Sequence, residues 1–153
     1  MNSREEKLES LGYEIDQAPK PAGIYKPIMI DGKTFYMSGM LPVSGGELAY
    51  KGSIPKDLSK EEGMKAAELA AANLLRVFYR DVGSLNKIDT LIKVGGFVNS
   101  SADFEEPQAV VNGASKLLID VLGEAGNHAR AAVGMASLPL GAAVEVEIIG
   151  RLV

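Results

Sequence analysis

Apolar residues cluster on both sides of one turn signal early in the chain. Ile28-Met-Ile30 and Thr34-Phe-Tyr-Met37 flank Asp31-Gly32-Lys33. An Asp-Gly pair between two apolar runs predicts a β-hairpin, because both residues tolerate a positive φ. Gly and Pro are then frequent from Pro42 to Pro55, which predicts an irregular loop with one short strand near Leu48-Ala-Tyr50.

Two later segments have the apolar period of an amphipathic helix. Ser59-Lys-Glu-Glu62 matches a capping box and so predicts the start of a helix. Gly83 suits the C-cap of the same helix. The apolar positions between them are Met64, Ala67, Ala71, Leu74, Leu75 and Phe78. A second helix is predicted from about Glu106 to Gly123, with a stripe formed by Val110, Ala114, Leu117, Leu118 and Val121.

The remaining apolar segments have the pattern of strands. Lys87 to Asn99 predicts a strand in which Gly95-Gly96 marks a bulge or a place of close packing. Two further strands end the chain. In the last one Val144, Val146 and Ile148 share one face, and Glu145 and Glu147 share the other. If Arg130 begins the partner strand, its guanidinium and a carboxylate are expected to share one pocket.

This order of elements predicts one α+β domain spanning residues 1–153. Two helices cover only one face of a mixed sheet of about six strands. The other face, carrying residues such as Met37 and Ile149, is therefore expected to meet another subunit. A homo-oligomer with sites at subunit junctions follows from this arrangement.

Composition excludes several classes of function. The chain has 20 Asp and Glu against 16 Lys and Arg, so no overall basic field attracts nucleic acid. It contains no cysteine and one histidine, which argues against thiol chemistry, against most metal sites and against a bound metal cofactor. The N-terminus has no apolar stretch of signal or transmembrane length, so a cytoplasmic protein without a membrane partner is expected.

Several short motifs together resemble the RidA/YjgF family, formerly called the L-PSP endoribonuclease family. They are Gly23-Ile-Tyr25, Ser38-Gly39-Met-Leu-Pro42, Phe97-Val98, and Ala129-Arg130 through Leu138-Pro139 to Glu145. The resemblance implies a chorismate-mutase-like fold of the bacillus type and a homotrimer with clefts between subunits. It also implies a deaminase of 2-imino or enamine acids that needs no cofactor.

The resemblance assigns three residues to catalysis. Arg130 matches the arginine that binds the substrate carboxylate, a role that suits a planar guanidinium fork. Glu145 matches the carboxylate that orients the attacking water, and Tyr25 matches a tyrosine that closes the pocket. Residue type alone leaves a simpler alternative for each of them. Arg130 would form a structural ion pair, Glu145 would be solvated, and Tyr25 would only pack on the sheet.

Further residues are expected at the pocket wall. Ser38 and Gly39 match a wall segment where the absence of a Cβ lets a ligand approach the backbone. The alternative is that the two residues only form the turn that ends the hairpin. Ala132 replaces a cysteine of many relatives and offers its backbone N–H. Asn112 corresponds to an asparagine that reaches the neighbouring site, with an exposed helix residue as the alternative. His128 replaces a proline before Ala129-Arg130, and Ile24 replaces another, which indicates a divergent subgroup.

The leading functional hypothesis is hydrolysis of reactive 2-imino acids to 2-keto acids and ammonia. A carboxylate close to Arg130 is expected to have a lowered pKa, which favours positioning of water over proton abstraction by Glu145. The alternative hypothesis is a noncatalytic sensor or chaperone that binds small carboxylates in the same cleft. A ribonuclease is suggested by the old family name alone and conflicts with the acidic composition.

Overall fold

The computed structural model describes residues 3–153, which form three α-helices and seven strands. The helices are α1 (Arg4–Ser10), α2 (Lys60–Val82) and α3 (Pro107–Leu122). The strands are β1 (Ile28–Asp31), β2 (Thr34–Met40), β3 (Val43–Ser44), β4 (Glu47–Leu48), β5 (Ile88–Asn99), β6 (Ala129–Met135) and β7 (Val144–Leu152). The α+β class expected from the sequence is confirmed.

Five of the strands form the main sheet, in the order β1-β2-β7-β5-β6. The β5–β6 pair is parallel and the other pairs are antiparallel, so the sheet is mixed. The expected number of about six strands is thus close, and the two remaining strands, β3 and β4, form a separate hairpin. Strand β6 lies at one edge of the sheet, and this position decides what its side chains can reach.

Helices α2 and α3 pack against each other and cover one face of the sheet. Helix α2 begins at the predicted capping box of Ser59 and ends at Gly83, whose φ of 104° is in the left-handed region. Inside the resulting core, the rings of Phe35 on β2 and Phe78 on α2 lie 5.0 Å apart. Both side chains are fully buried, as the apolar spacing predicts.

Gly95 and Gly96 mark close packing and not a bulge. The register of β5 is continuous through both residues, and its irregularities lie nearer the start of the strand. A Cβ at Gly96 would lie 2.4 Å from Val111 Cγ2 on α3, and a Cβ at Gly95 would lie 2.8 Å from Glu147 Oε1. The two glycines therefore let a helix approach one face and a carboxylate lie on the other.

The second face of the sheet, here called the open face, is exposed in the single chain. Its apolar residues are Met29, Tyr36, Phe97, Val133 and Ile149, which share one side of the register. Met29, Tyr36 and Val133 are 56%, 47% and 44% exposed. Exposed apolar side chains on one sheet face are typical of an interaction site.

The prediction that Met37 lies on the open face is wrong. Met37 is 3% exposed and belongs to the helix-covered core, because it alternates with the exposed Tyr36 along β2. Ile149, the other residue expected on the open face, does lie there opposite Tyr36.

The short helix α1 was not predicted, although its signal is present in the sequence. Ser3-Arg-Glu-Glu6 forms a second capping box, and Leu8 inserts a fully buried side chain into the core. Glu5 accepts hydrogen bonds from the backbone N–H of Leu85 and from Ser84. These bonds outweigh burial, which acts in the opposite direction, and hold the pKa of Glu5 below its usual value.

The close crossing of α2 and α3 gives a first testable expectation. A Cβ at Gly113 would lie 2.0 Å from the carbonyl oxygen of Met64, which as a backbone atom cannot move aside locally. Gly113→Ala is therefore expected to lower the free energy of unfolding by about 3 kcal/mol, measured by urea denaturation. Gln108→Ala on the exposed side of the same helix is the control, with an expected change of about 0.5 kcal/mol or less. Equal stability of the two variants would contradict this packing.

Among residues 3–153, none of the helices has the length and apolar character needed to cross a bilayer.

Candidate functional site

Arg130 lies at the second position of edge strand β6 with its side chain directed toward α3. It pairs with the buried Val94 of β5, which places both side chains on the helix-covered side of the sheet. Its Nη1 donates to Asn112 Oδ1 at 2.8 Å and to Ser115 Oγ at 3.1 Å. Its Nη2 donates to the carbonyl oxygen of Gln108 at 3.2 Å. The alternative of a structural ion pair does not apply within residues 3–153, because all three partners are uncharged acceptors.

These contacts leave one edge of the guanidinium available. An arginine has five N–H groups, and here both on Nη1 and one on Nη2 are used. The Nε–H and the second Nη2–H have no hydrogen-bond partner among residues 3–153. Since Nε and Nη2 lie along the same edge of the planar guanidinium, they form a fork that fits the two oxygens of a carboxylate.

Asn112 is exposed, as the simpler interpretation of it predicts, and it also contacts Arg130 directly. Ser115 was missed by the sequence reasoning, although it lies three residues after Asn112 and so on the same side of α3. Ala132 lies on the same side of β6 as Arg130, paired with Gly96, and packs against the core. The structure thus assembles Arg130, Asn112 and Ser115 on one rim of the chain.

Glu145 lies on the open face, in the central strand β7. It pairs with Phe97 and alternates with the buried Val144 and Val146. Its carboxylate lies over Gly39, where a Cβ would come within 2.7 Å of Glu145 Cδ. Gly39 therefore leaves room for the carboxylate, which would have to shift if a Cβ were present.

Burial raises the pKa of Glu145 above its usual value, and the negative charge of Glu147 on the same face adds to the effect. The expectation of a lowered pKa is wrong for the single chain, because Arg130 is on the other side of the sheet. A carboxyl group with a raised pKa is a stronger base once ionised.

The single chain does not bring Arg130 and Glu145 into one pocket. Arg130 faces α3 on the covered side of the sheet, whereas Glu145 faces outward on the opposite side. The condition on which the two were expected to share a pocket, that Arg130 begins the strand paired with β7, is not met, because β5 lies between β6 and β7. The two side chains face opposite sides because of parity: residue 130 pairs with position 94 and residue 145 with position 97, and these two positions of β5 point to opposite faces.

Tyr25 lies in the exposed segment before β1 and is 48% exposed. Its hydroxyl accepts a hydrogen bond from the backbone N–H of Ala22 at 3.3 Å. It borders a small cavity together with Gly39, on which Glu145 lies; other lining residues are Pro27, Met40, Val43 and Val77. Tyr25 therefore lies near the β1–β2 edge of the sheet, opposite the edge strand β6 that carries Arg130.

Ser38 ties this segment to β2. Its Oγ donates to the carbonyl oxygen of Lys26 at 2.7 Å, and its backbone N–H donates to Pro27. The register of β2 against β7 is interrupted between Met37 and Met40, so Ser38 and Gly39 lie in an irregular part of the strand. Among the described residues no group of three or more His, Cys, Asp and Glu side chains is arranged to hold a metal ion.

Residues 5–152 match the model of the family described as "YjgF/chorismate_mutase-like, putative endoribonuclease". The chain belongs to the YjgF/RidA family. The chorismate-mutase-like fold expected from the sequence is thus confirmed, with five strands in the main sheet and a third, short helix.

Three relatives show how close the similarity is. A protein of unknown function from Agrobacterium tumefaciens is 42% identical, with a TM-score of 0.92 over 98% of this chain and 92% of the relative. Protein TCP17 of Trypanosoma cruzi is 38% identical over 95% of this chain and 91% of its own length. RidA from Psychrobacter is 29% identical with a TM-score of 0.62, over 89% and 94% of the two chains.

Proposed function

We propose that this protein is a cytoplasmic, homotrimeric deaminase that hydrolyses 2-imino acids to 2-keto acids and ammonia in clefts between subunits. The observation that carries the proposal is the guanidinium of Arg130, held by three acceptors of α3 with its Nε and Nη2 edge available. A carboxylate is the group that this fork fits best. Membership of the YjgF/RidA family supports the same choice of substrate.

The location of Glu145 supports a site made by two chains. Glu145 lies on the open face of one chain and Tyr25 in the segment before β1, whereas Arg130 lies on the edge strand β6 of the same chain and faces the helices. A neighbouring copy that packs its open face against the edge of β6 would bring Glu145 of one chain to Arg130 of the next. The exposed apolar residues Met29, Tyr36 and Val133 are the surface that such packing would bury.

The chemistry requires orientation of the substrate and transfer of protons from oxygen to nitrogen. Arg130 binds the carboxylate and so fixes the adjacent C=N carbon. Glu145 takes a proton from a water molecule as its oxygen attacks that carbon and passes the proton to the imine nitrogen, which gives the carbinolamine. Glu145 then takes the hydroxyl proton and returns it to the amine nitrogen, so the C–N bond breaks, ammonia leaves and the carbonyl forms. A guanidinium from the neighbouring chain would lower the pKa of Glu145 and oppose the effect of its burial.

Carboxylate binding without turnover is the second candidate. The observation that favours it is that the partners of Arg130 all come from its own chain, so the anion site does not depend on Glu145. The same fork would then serve a sensor or chaperone of small carboxylates. RNA cleavage is not proposed, because the chain has a net charge of −4 and a single histidine.

The test generates 2-imino acids in situ with an amino-acid oxidase and follows their capture by an imine-trapping amine against the release of keto acid and ammonia. The proposal expects the wild-type protein to reduce trapping and speed ammonia release across at least some side chains. Binding of 2-keto acids without any acceleration of hydrolysis would support the second candidate and contradict the first.

A further inference from the structure

The single histidine of the chain is held at both ring nitrogens. His128 precedes β6 by one residue, and its Nδ1 lies 2.6 Å from the carbonyl oxygen of Gly126. Because a carbonyl oxygen only accepts, Nδ1 carries the hydrogen. The other nitrogen, Nε2, lies 2.9 Å from Ser115 Oγ on α3. In the neutral ring this Nε2 is an acceptor, so the Ser115 hydroxyl donates to it.

The same serine oxygen accepts from Arg130. Arg130 Nη1 lies 3.1 Å from Ser115 Oγ, and a guanidinium can only donate. The three side chains therefore form a directed chain of hydrogen bonds, from Arg130 to Ser115 to His128, which ends at the carbonyl oxygen of Gly126. With a neutral imidazole, Arg130 at one end of this chain can only donate and the Gly126 carbonyl oxygen at the other end can only accept, so the direction of every hydrogen bond between them is determined.

Without an acceptor at Nε2, the hydroxyl of Ser115 has a competing partner. A serine inside a helix readily turns its hydroxyl toward the carbonyl oxygen four residues earlier. That rotation would move the Ser115 oxygen away from Arg130 and remove one of the two acceptors on Nη1. The guanidinium would then be held by Asn112 and the carbonyl oxygen of Gln108 alone, and its Nε and Nη2 edge would be less firmly oriented.

We infer that His128 is a positioning residue for the carboxylate site, acting on Arg130 through Ser115. The inference rests on the proposed function, because it assigns His128 to the orientation of the guanidinium that binds the substrate carboxylate. His128 lies two residues before Arg130, and both side chains reach the same Ser115 oxygen on α3. The position was expected to be a departure from the family pattern, and here the departure supplies a contact to Ser115.

Two substitutions separate the functions of the two ring nitrogens. His128→Gln can place its amide oxygen near the location of Nε2 and accept from Ser115, but it loses the bond to Gly126. His128→Asn can place its amide nitrogen near Nδ1 and keep the bond to Gly126, but it does not reach Ser115. Binding of 2-oxobutanoate by calorimetry, and KM and kcat for the corresponding imine, are measured for both.

The inference expects His128→Asn to weaken 2-oxobutanoate binding and raise KM by about three- to tenfold, with kcat changed by about twofold or less. His128→Gln is expected to stay within about twofold of wild type. Ser115→Ala should reproduce the loss of His128→Asn, and the double variant should show no further loss. The opposite order, with Asn like wild type and Gln impaired, would show that His128 acts only through Gly126 and would overturn the inference.

A second readout does not depend on activity. Since the chain has one histidine, ¹⁵N-detected NMR reports a single imidazole, and the inference expects the hydrogen on Nδ1. A hydrogen on Nε2 in a protein that binds 2-oxobutanoate would refute the positioning chain alone. Failure of the wild-type protein to bind 2-oxobutanoate, with Nδ1–H observed, would instead refute the carboxylate site and with it the role of His128 there.

Discussion

Arg130→Ala is expected to reduce kcat/KM for imine hydrolysis by about 10²- to 10³-fold, since it removes two charge-assisted hydrogen bonds to the substrate carboxylate. Binding of 2-oxobutanoate should fall with it, because the fork is the proposed contact in both complexes. The partners Asn112 and Ser115 are exposed or partly buried, so water can replace the lost guanidinium and the fold should persist. Circular dichroism and sedimentation would check that folding and assembly are retained.

Two further variants make the result specific. Arg130→Lys keeps the charge but not the planar fork, and it is expected to recover only part of the activity. Arg151→Ala removes an exposed arginine of β7 that pairs with Asp89 at 2.7 Å, and it should leave hydrolysis unchanged. Full activity of Arg130→Ala, or an equal loss in Arg151→Ala, would exclude the carboxylate fork.

Glu145→Gln is expected to lower kcat by about 10²- to 10⁴-fold with little change in KM, because it removes the base and leaves the carboxylate fork intact. Glu147→Gln is the matched control, since Glu147 lies two residues further along β7 on the same face. Its activity should stay close to wild type. Equal losses in the two variants would indicate a general electrostatic effect of the open face.

The pH dependence distinguishes the two glutamates further. Glu145 acts as a base only when it is ionised, so wild-type kcat/KM is expected to fall as the pH decreases through its pKa, which burial and Glu147 raise and the guanidinium of the neighbouring chain lowers. Glu147→Gln removes one cause of the raised pKa and should move this fall in kcat/KM to lower pH. Glu145→Gln should abolish the fall. A fall that persists unchanged in Glu145→Gln would assign the titration to another group.

The raised pKa of Glu145 also determines whether this carboxylate stabilises or destabilises the folded protein. A carboxyl group whose pKa is raised in the folded state opposes folding when it is ionised. As long as burial outweighs the guanidinium of the neighbouring chain, Glu145→Gln is therefore expected to raise the Tm at neutral pH, and the gain should vanish as the pH falls below the pKa of the unfolded chain. A loss of activity with a gain in stability would separate function from folding.

The parts of the fold that could be predicted from sequence are those with local signals. The Asp31-Gly32 turn fixed the first hairpin, and the capping box at Ser59 and the glycine at position 83 bounded α2. Helix α1 carries the same kind of capping box at Ser3, but it has only seven residues and one buried leucine, Leu8. Periodicity needs more turns than that to be recognised.

The site was harder to predict because it depends on strand parity. The residues Arg130, Glu145 and Tyr25 were identified by their motifs, but the side of the sheet that each one faces depends on the register of β5 with both of its neighbours. Met37 was misplaced for the same reason. Ser115 and its bond to His128 follow from the packing of α3 against β6, which no local pattern specifies.

The most direct measurement of the central claim uses mixed oligomers of two inactive variants. Arg130→Ala and Glu145→Gln chains are assembled together from equal amounts, and imine hydrolysis is compared with each variant alone. If each site takes Arg130 from one chain and Glu145 from the next, random mixing in a ring of three restores about a quarter of the sites. No activity above that of the separate variants would contradict a catalytic site shared between subunits.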